Sequence, residues 1–323
     1  MDKPRIFFRL YPGDSNEPTR RRRGLFVVEE LMKLGWDVQT GSPDGCDIAV
    51  LQRLATPDDV RKLQASGIVT TFETNDLLAQ KGTIYHIPDQ VETIATADFV
   101  VVTCRYMQQL YARINPRTLI APEALEPEFW ETLLADLPES PLVLSWHGMP
   151  DNLQYIEPII EELKDVGDLR LRIIMPEVDS KRRSNRERVA AWPVPVDFVV
   201  WQRDTFVHEM AQAHAGMVVL PDTSFCRSKG QHKCCGYFGL NIPVIASNMP
   251  GYREVITHGE NGLLAETPEQ WREAIEFIRD PGERQNLGAN ARAMSEYFTR
   301  RSIGDVWNRL LLKVWQVRGS EAA

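Results

Sequence analysis

Short apolar runs alternate with helical patterns along almost the whole chain, and that alternation restricts the fold more than any single motif. In the first half, the runs 6–10, 47–51, 68–72, 99–103 and 118–121 suit buried strands. Leu25, Phe26, Val27, Val28, Leu31 and Leu34 recur at helical spacing, and Gly35 stops them before a strand at 37–40. Further helices are expected at 57–65, 91–96 and 106–114. Strands at 142–145, 169–175, 196–201, 216–220 and 242–246 continue the pattern, with helices from about 151 and at 180–190, 206–213 and 231–240. Strand, helix, strand in this rhythm predicts parallel sheets covered on both faces. The rhythm lapses once, where Pro122, Pro127, Pro138 and Pro141 fall close together. The expected division is therefore 1–137, 138–302 and a closing helix 303–323. Trp307, Leu310, Leu311 and Val314 give that helix an apolar stripe, expected to pack back on the first half.

Composition narrows the function. A net charge of −8 over 323 residues argues against general nucleic-acid binding, which needs a basic surface. The five cysteines form no CxxC pair, so reduced thiols are favoured over a zinc site. The N-terminus runs directly into a strand, with no signal peptide ahead of it and no apolar run approaching a membrane span. A cytoplasmic protein is expected. Peripheral contact with the inner membrane face would fall to the run Arg20, Arg21, Arg22 and Arg23, which no amphipathic basic helix accompanies.

The chemistry concentrates at 221–248, PDTSFCRSKGQHKCCGYFGLNIPVIASN. A strand precedes it, a loop carrying Arg227, Lys229 and Gly230 opens into a helix at Gln231, and a strand follows. Unpaired N–H groups at a helix start suit an anion, and Lys229, Lys233 and Arg227 add full charges there. An ordinary loop with solvated lysines is the plainer reading. Neither GxGxxG nor GxxxxGK[ST] is present, so the dinucleotide and P-loop readings lapse. Two other strand ends in this half carry polar groups: His147 and Gly148 before a helix that Asp151 or Asn152 could cap, and Gln202 with Arg203. His147 reads either as a packing histidine or as a phosphate or sugar contact. In the first half, the loop from Tyr11 through Gly13 and the four arginines borders the carboxyl ends of the strands. The arginines are a solvated helix end, or one of them meets a phosphate or an anionic acceptor. Glu73, Asp76 and His86 are the other polar candidates there, with Asp76 alternatively a helix cap.

Taken together, 219–264 with its GLNIPVIASN and HGENGLL strings resembles the donor domain of GT-B-fold glycosyltransferases, glycosyltransferase family 4 in particular. The strings RRRGLFVVEELMKLGWDV, FETNDLL and IAPEALEPEFW resemble that family's acceptor domain. The resemblance implies two Rossmann-like domains facing a cleft. It implies a retaining, metal-independent transfer from a nucleotide-diphospho-sugar, which is a co-substrate rather than a cofactor. Lys229, Lys233 and Arg203 would stabilise the departing diphosphate. His147, Gly148, Asn152, Asp222, Arg227, Gly230, Gln231 and His232 would hold the donor. Gly13, Arg20, Arg23, Asp76 and His86 would face an acceptor whose class stays open: a glycan, a lipid-linked glycan, a protein or a small molecule. Many members carry two glutamates eight positions apart, where this chain has Ser228 and Gly236. The missing acid normally holds the ribose, so a catalytically inactive partner module is the alternative, with a sugar-nucleotide epimerase behind it.

Overall fold

The computed structural model describes residues 3–77, 87 and 89–321. His86, one of the acceptor-side candidates, lies outside them. Two six-stranded sheets, parallel throughout, form two units. The first unit comprises residues 1–126, 227–230 and 297–323; the second comprises 127–226 and 231–296.

In the first unit the strands are β1 (Ile6–Arg9), β2 (Val38–Gln39), β3 (Ile48–Gln52), β4 (Val69–Glu73), β5 (Phe99–Val102) and β6 (Thr118–Ile120), ordered β2-β1-β3-β4-β5-β6. The chain reverses its winding between β1 and β3, which opens a crevice at their carboxyl ends. The last helix, Arg300–Glu321, belongs to this unit. Its Ile303, Trp307, Leu310, Leu311 and Val314 are buried against Ile6, Phe8, Val27 and Leu31. The Trp307 ring stands 5.8 Å from that of Phe8.

The second unit carries β7 (Leu142–His147), β8 (Leu169–Met175), β9 (Val196–Val200), β10 (Ala215–Val218), β11 (Val244–Ser247) and β12 (Leu263–Ala265). Their order, β12-β11-β10-β7-β8-β9, is that of a dinucleotide-binding domain, with the switch between β7 and β10. The core packs Leu144, Trp146, Ile173, Met217 and Ile245 with the fully buried Trp271.

One local expectation is corrected. The helix read at 180–190 begins only at Asn185, because the Asp179 carboxylate takes the backbone N–H groups of Lys181 and Arg183 and turns the chain first. After the turn at 258–262, Leu263 and Leu264 open the three-residue strand β12 against β11. Among the described residues no helix is long and apolar enough to cross a membrane.

Candidate functional site

The second unit's switch point is where sequence and geometry meet. Strand β7 ends at His147, and the crossover from β10 to β11 is made by the helix His232–Gly239. Within that helix Lys233 and Tyr237 are four residues apart, so they share a face. Both reach β7. The Lys233 ammonium donates to the His147 carbonyl at 3.0 Å and sits 5.5 Å from the centre of the Trp146 ring. The Tyr237 hydroxyl donates to the Ser145 carbonyl at 2.9 Å, with Ser145 Oγ at 3.2 Å and His147 Nδ1 at 3.3 Å. Gly148 follows with no side chain, and any Cβ there would stand 2.7 Å from the Trp146 ring and 3.2 Å from Lys233 Nζ. The position therefore needs glycine for the lysine to lie close.

Gln231 is the N-cap of the helix, and its side chain makes no capping bond. The helix start thus presents N–H groups beside a full positive charge, a combination suited to an anion. Burial pushes the Tyr237 phenol and the Cys234 and Cys235 thiols up. All three keep their protons, so neither cysteine is a nucleophile here. The five cysteines are all buried, none in a disulfide.

Other expected donor residues sit apart from this cluster or simply beside it in sequence. Asn152 ends the turn Pro150–Asn152 and serves as N-cap of the helix Leu153–Glu162 by position only, without the side-chain capping bond expected of Asp151 or Asn152. Asp222 is exposed, and Arg227 is exposed at the end of the helix Ser224–Arg227. Arg203 is 3.5 Å from Glu128 and 5.8 Å from the Phe206 ring centre. Of the three strand ends, only that of His147 and Gly148 meets Lys233 of the crossover helix, whereas Arg203 is held by a separate carboxylate.

Lys229 takes a different course. It belongs with Arg227 and Gly230 to the first unit, where its ammonium donates to Asp76 Oδ1 at 2.5 Å. Asp76 also meets Arg53 at 3.4 Å, so it is shared by two cations, while the residues after Leu77 that it would cap lie outside those described. Gly230 faces Thr103, whose Oγ1 would be 3.2 Å from a Cβ at that position.

Around the first unit's own switch point the arginines are absorbed by carboxylates. Residues Arg21–Leu25 form a π turn, which sequence periodicity does not announce. From it Arg21 and Arg22 each reach Glu126 Oε1 at 2.7 Å. Arg23, 1% exposed, pairs with the fully buried Glu73 and donates to the Ala121 carbonyl at 3.1 Å. Burial pushes the Glu73 carboxyl up, and the Arg23 charge opposes it. Gln52 completes the group, donating to Glu73 Oε2 at 3.1 Å and accepting from the Tyr11 N–H at 2.7 Å. Arg20 donates to the Tyr11 carbonyl at 2.9 Å, and Gly13 turns the preceding loop at φ +120°. Arg21 and Arg23 are thus interior groups, not a solvated cationic helix end.

Tyr237 is the residue that sequence reasoning missed. The signal was its i,i+4 relation to Lys233, together with Gly216 inside β10. A strand glycine often marks close approach of another group, here the Tyr237 ring.

Residues 232–294 match the family model described as glycosyl transferases group 1. No curated protein matches the sequence. Among solved structures, sucrose-phosphate synthase from Thermosynechococcus elongatus aligns at TM-score 0.74 and 16% identity, covering 98% of this chain and 100% of that one. A glycosyltransferase from Rickettsia africae aligns at 0.71 and 11% identity, covering 97% and 99%. HepE from Anabaena, solved with UDP, aligns at 0.68 and 12% identity, covering 96% and 100%. At these identities the likeness is one of fold, and the fold is GT-B.

Proposed function

A glycosyltransferase by the match of residues 232–294 and GT-B in fold, this chain, we propose, moves a glycosyl group from a nucleotide-diphospho-sugar to an acceptor hydroxyl. We take the transfer to retain anomeric configuration and to need no metal. The observation that supports this most is the Lys233 ammonium beside the helix His232–Gly239, at the switch point of the second sheet. HepE has been solved with UDP and glucose, which makes UDP-sugars the first donors to test.

The chemistry follows from charge. As the glycosidic bond breaks, the electron pair stays on the diphosphate, which becomes more negative. A cation and amide N–H groups already aimed at that charge stabilise the transition state more than the ground state. One such donor is typically worth ~3 kcal/mol. We assign this role first to Lys233, with Lys229 and Arg203 as supplementary cations. His147, Gly148, Asn152, Asp222, Arg227, Gly230, Gln231 and His232 are the proposed donor contacts. Gly13, Arg20, Arg23 and Asp76 are the proposed acceptor-side groups, Arg23 acting from the interior through Glu73.

Incubation with UDP-, GDP- and ADP-sugars tests the reading, with release of the nucleoside diphosphate as readout. Release from at least one is expected. One observation favours a second reading, a partner module without a donor site: Gly236 stands where the resemblance puts an acid, and the Phe129 ring covers it. No release and no binding of UDP or GDP would establish that reading instead.

A further inference from the structure

We infer that Trp201 is the platform on which the donor's nucleobase stacks, so that the base is recognised through its aromatic face. The inference rests on the nucleotide-sugar reading above and adds to it which end of the donor lies over β9.

All eight tryptophans fall within the described residues, and Trp201, at 40%, is the exposed one. Exposure by itself is ordinary for a surface side chain. Position gives it meaning. Trp201 follows β9 directly, its N–H donating to the Met175 carbonyl at 2.9 Å, so it stands at the carboxyl edge where sheets of this kind take ligands. The strand register pairs His147 with Ile174 and Ile174 with Val199. Trp201 is therefore two strands from β7, about 10 Å sideways, and two residues beyond the row of His147.

The ring is also backed. Its centre is 6.0 Å from that of Phe206, which meets Phe129 edge to face at 5.8 Å. Phe129 in turn lies against Gly236, in the helix that carries Lys233. Three rings thus tie the platform to the helix of the phosphate-binding cation. A ring held in this way loses little freedom when a base lands on it, so the stacking goes into affinity.

Connectivity selects the base over the sugar. Lys233, fixed to the His147 carbonyl, holds the phosphate whose bond to the sugar breaks. The sugar is bonded directly to that phosphate and stays beside His147. The base is separated from it by the second phosphate and the ribose, and that spacer covers the distance to β9.

The test titrates UDP, GDP, ADP, UDP-glucose and inorganic pyrophosphate, which has the diphosphate and no base, into the wild type, Trp201→Ala and Trp201→Phe. Trp201→Ala is expected to bind the preferred nucleotide about 10-fold more weakly, with its affinity for pyrophosphate unchanged, and Trp201→Phe to recover most of the loss. Tryptophan fluorescence reads the contact independently: the nucleotide should quench the wild type and quench Trp201→Phe less. Unchanged nucleotide affinity in Trp201→Ala overturns the inference, as does an equal loss for pyrophosphate or quenching that is the same in both proteins. A loss confined to UDP-glucose, with UDP unaffected, places the sugar on the ring and overturns it too. A wild type that binds none of the nucleotides removes the nucleotide-sugar reading together with the platform. A wild type that binds, matched by Trp201→Ala, removes the platform alone.

Discussion

The Phe129 ring lies on Gly236, so closely that a Cβ there would stand 3.1 Å from Cε1 and 3.2 Å from Cζ. Gly236 is buried in the helix His232–Gly239, and Gly239 meets the same phenylalanine through its Cβ. A carboxylate at 236 has neither room nor water. Gly236→Glu is therefore expected to destabilise the second unit by ~3 kcal/mol or more, from overpacking and from burying a charge without a partner. Urea denaturation measures it. A variant as stable as the parent would show that Phe129 moves aside freely.

The Arg23–Glu73 pair makes a prediction for the first unit. Both side chains are almost wholly buried, so removing one leaves the other's charge uncompensated. Glu73→Gln is expected to cost about 3–5 kcal/mol, and the double replacement Arg23→Met with Glu73→Leu markedly less. A double-mutant cycle by chemical denaturation checks the order. A single variant milder than the double would contradict it.

His214 gives the pH dependence. The Val143 N–H donates to its Nδ1 at 2.8 Å, while His214 N–H donates to the Val143 carbonyl at 2.9 Å. Burial, with the Arg284 charge, holds this imidazole below the usual histidine range. In the unfolded chain it protonates near the ordinary value of about 6.5. The unfolded state therefore binds the proton first, and stability falls as pH drops from about 6.5 toward the folded value. His214→Asn keeps an acceptor for Val143 and is expected to flatten this dependence in melts between those limits. An unchanged slope would assign the acid sensitivity elsewhere.

Much of this was legible in the sequence, and the gaps have physical causes. The strands could be read because parallel strands buried on both faces are continuous apolar runs, as 48–51 and 99–102 are. His147 and Lys233 could be read because a strand end before a helix and the start of a crossover helix fall at the same sheet edge. The partner of Lys229 could not. Residues 227–230 leave the second unit that flanks them, and only tertiary packing decides that course. The arginine run was half legible: its position was clear, but a helical wheel spreads the side chains, whereas the π turn and the carboxylates of Glu73 and Glu126 gather three of them inward.

The two lysines separate what position from what sequence alone suggests. Lys233→Met keeps the stem and loses the charge, and turnover is expected to fall about 100-fold with the melting temperature little changed. Lys229→Met is expected to lose much less, because Asp76 already neutralises that ammonium. Steady-state kinetics on both variants decides it, and a larger loss for Lys229→Met would shift the phosphate role to the first unit.

Calorimetric titration of UDP and of GDP into the wild-type protein and into Lys233→Met tests the central claim most directly. The account predicts that the wild type binds at least one of the two and that Lys233→Met binds it at least about 10-fold more weakly. Absence of binding by the wild type, or equal binding by the two proteins, would contradict a diphosphate site built on Lys233.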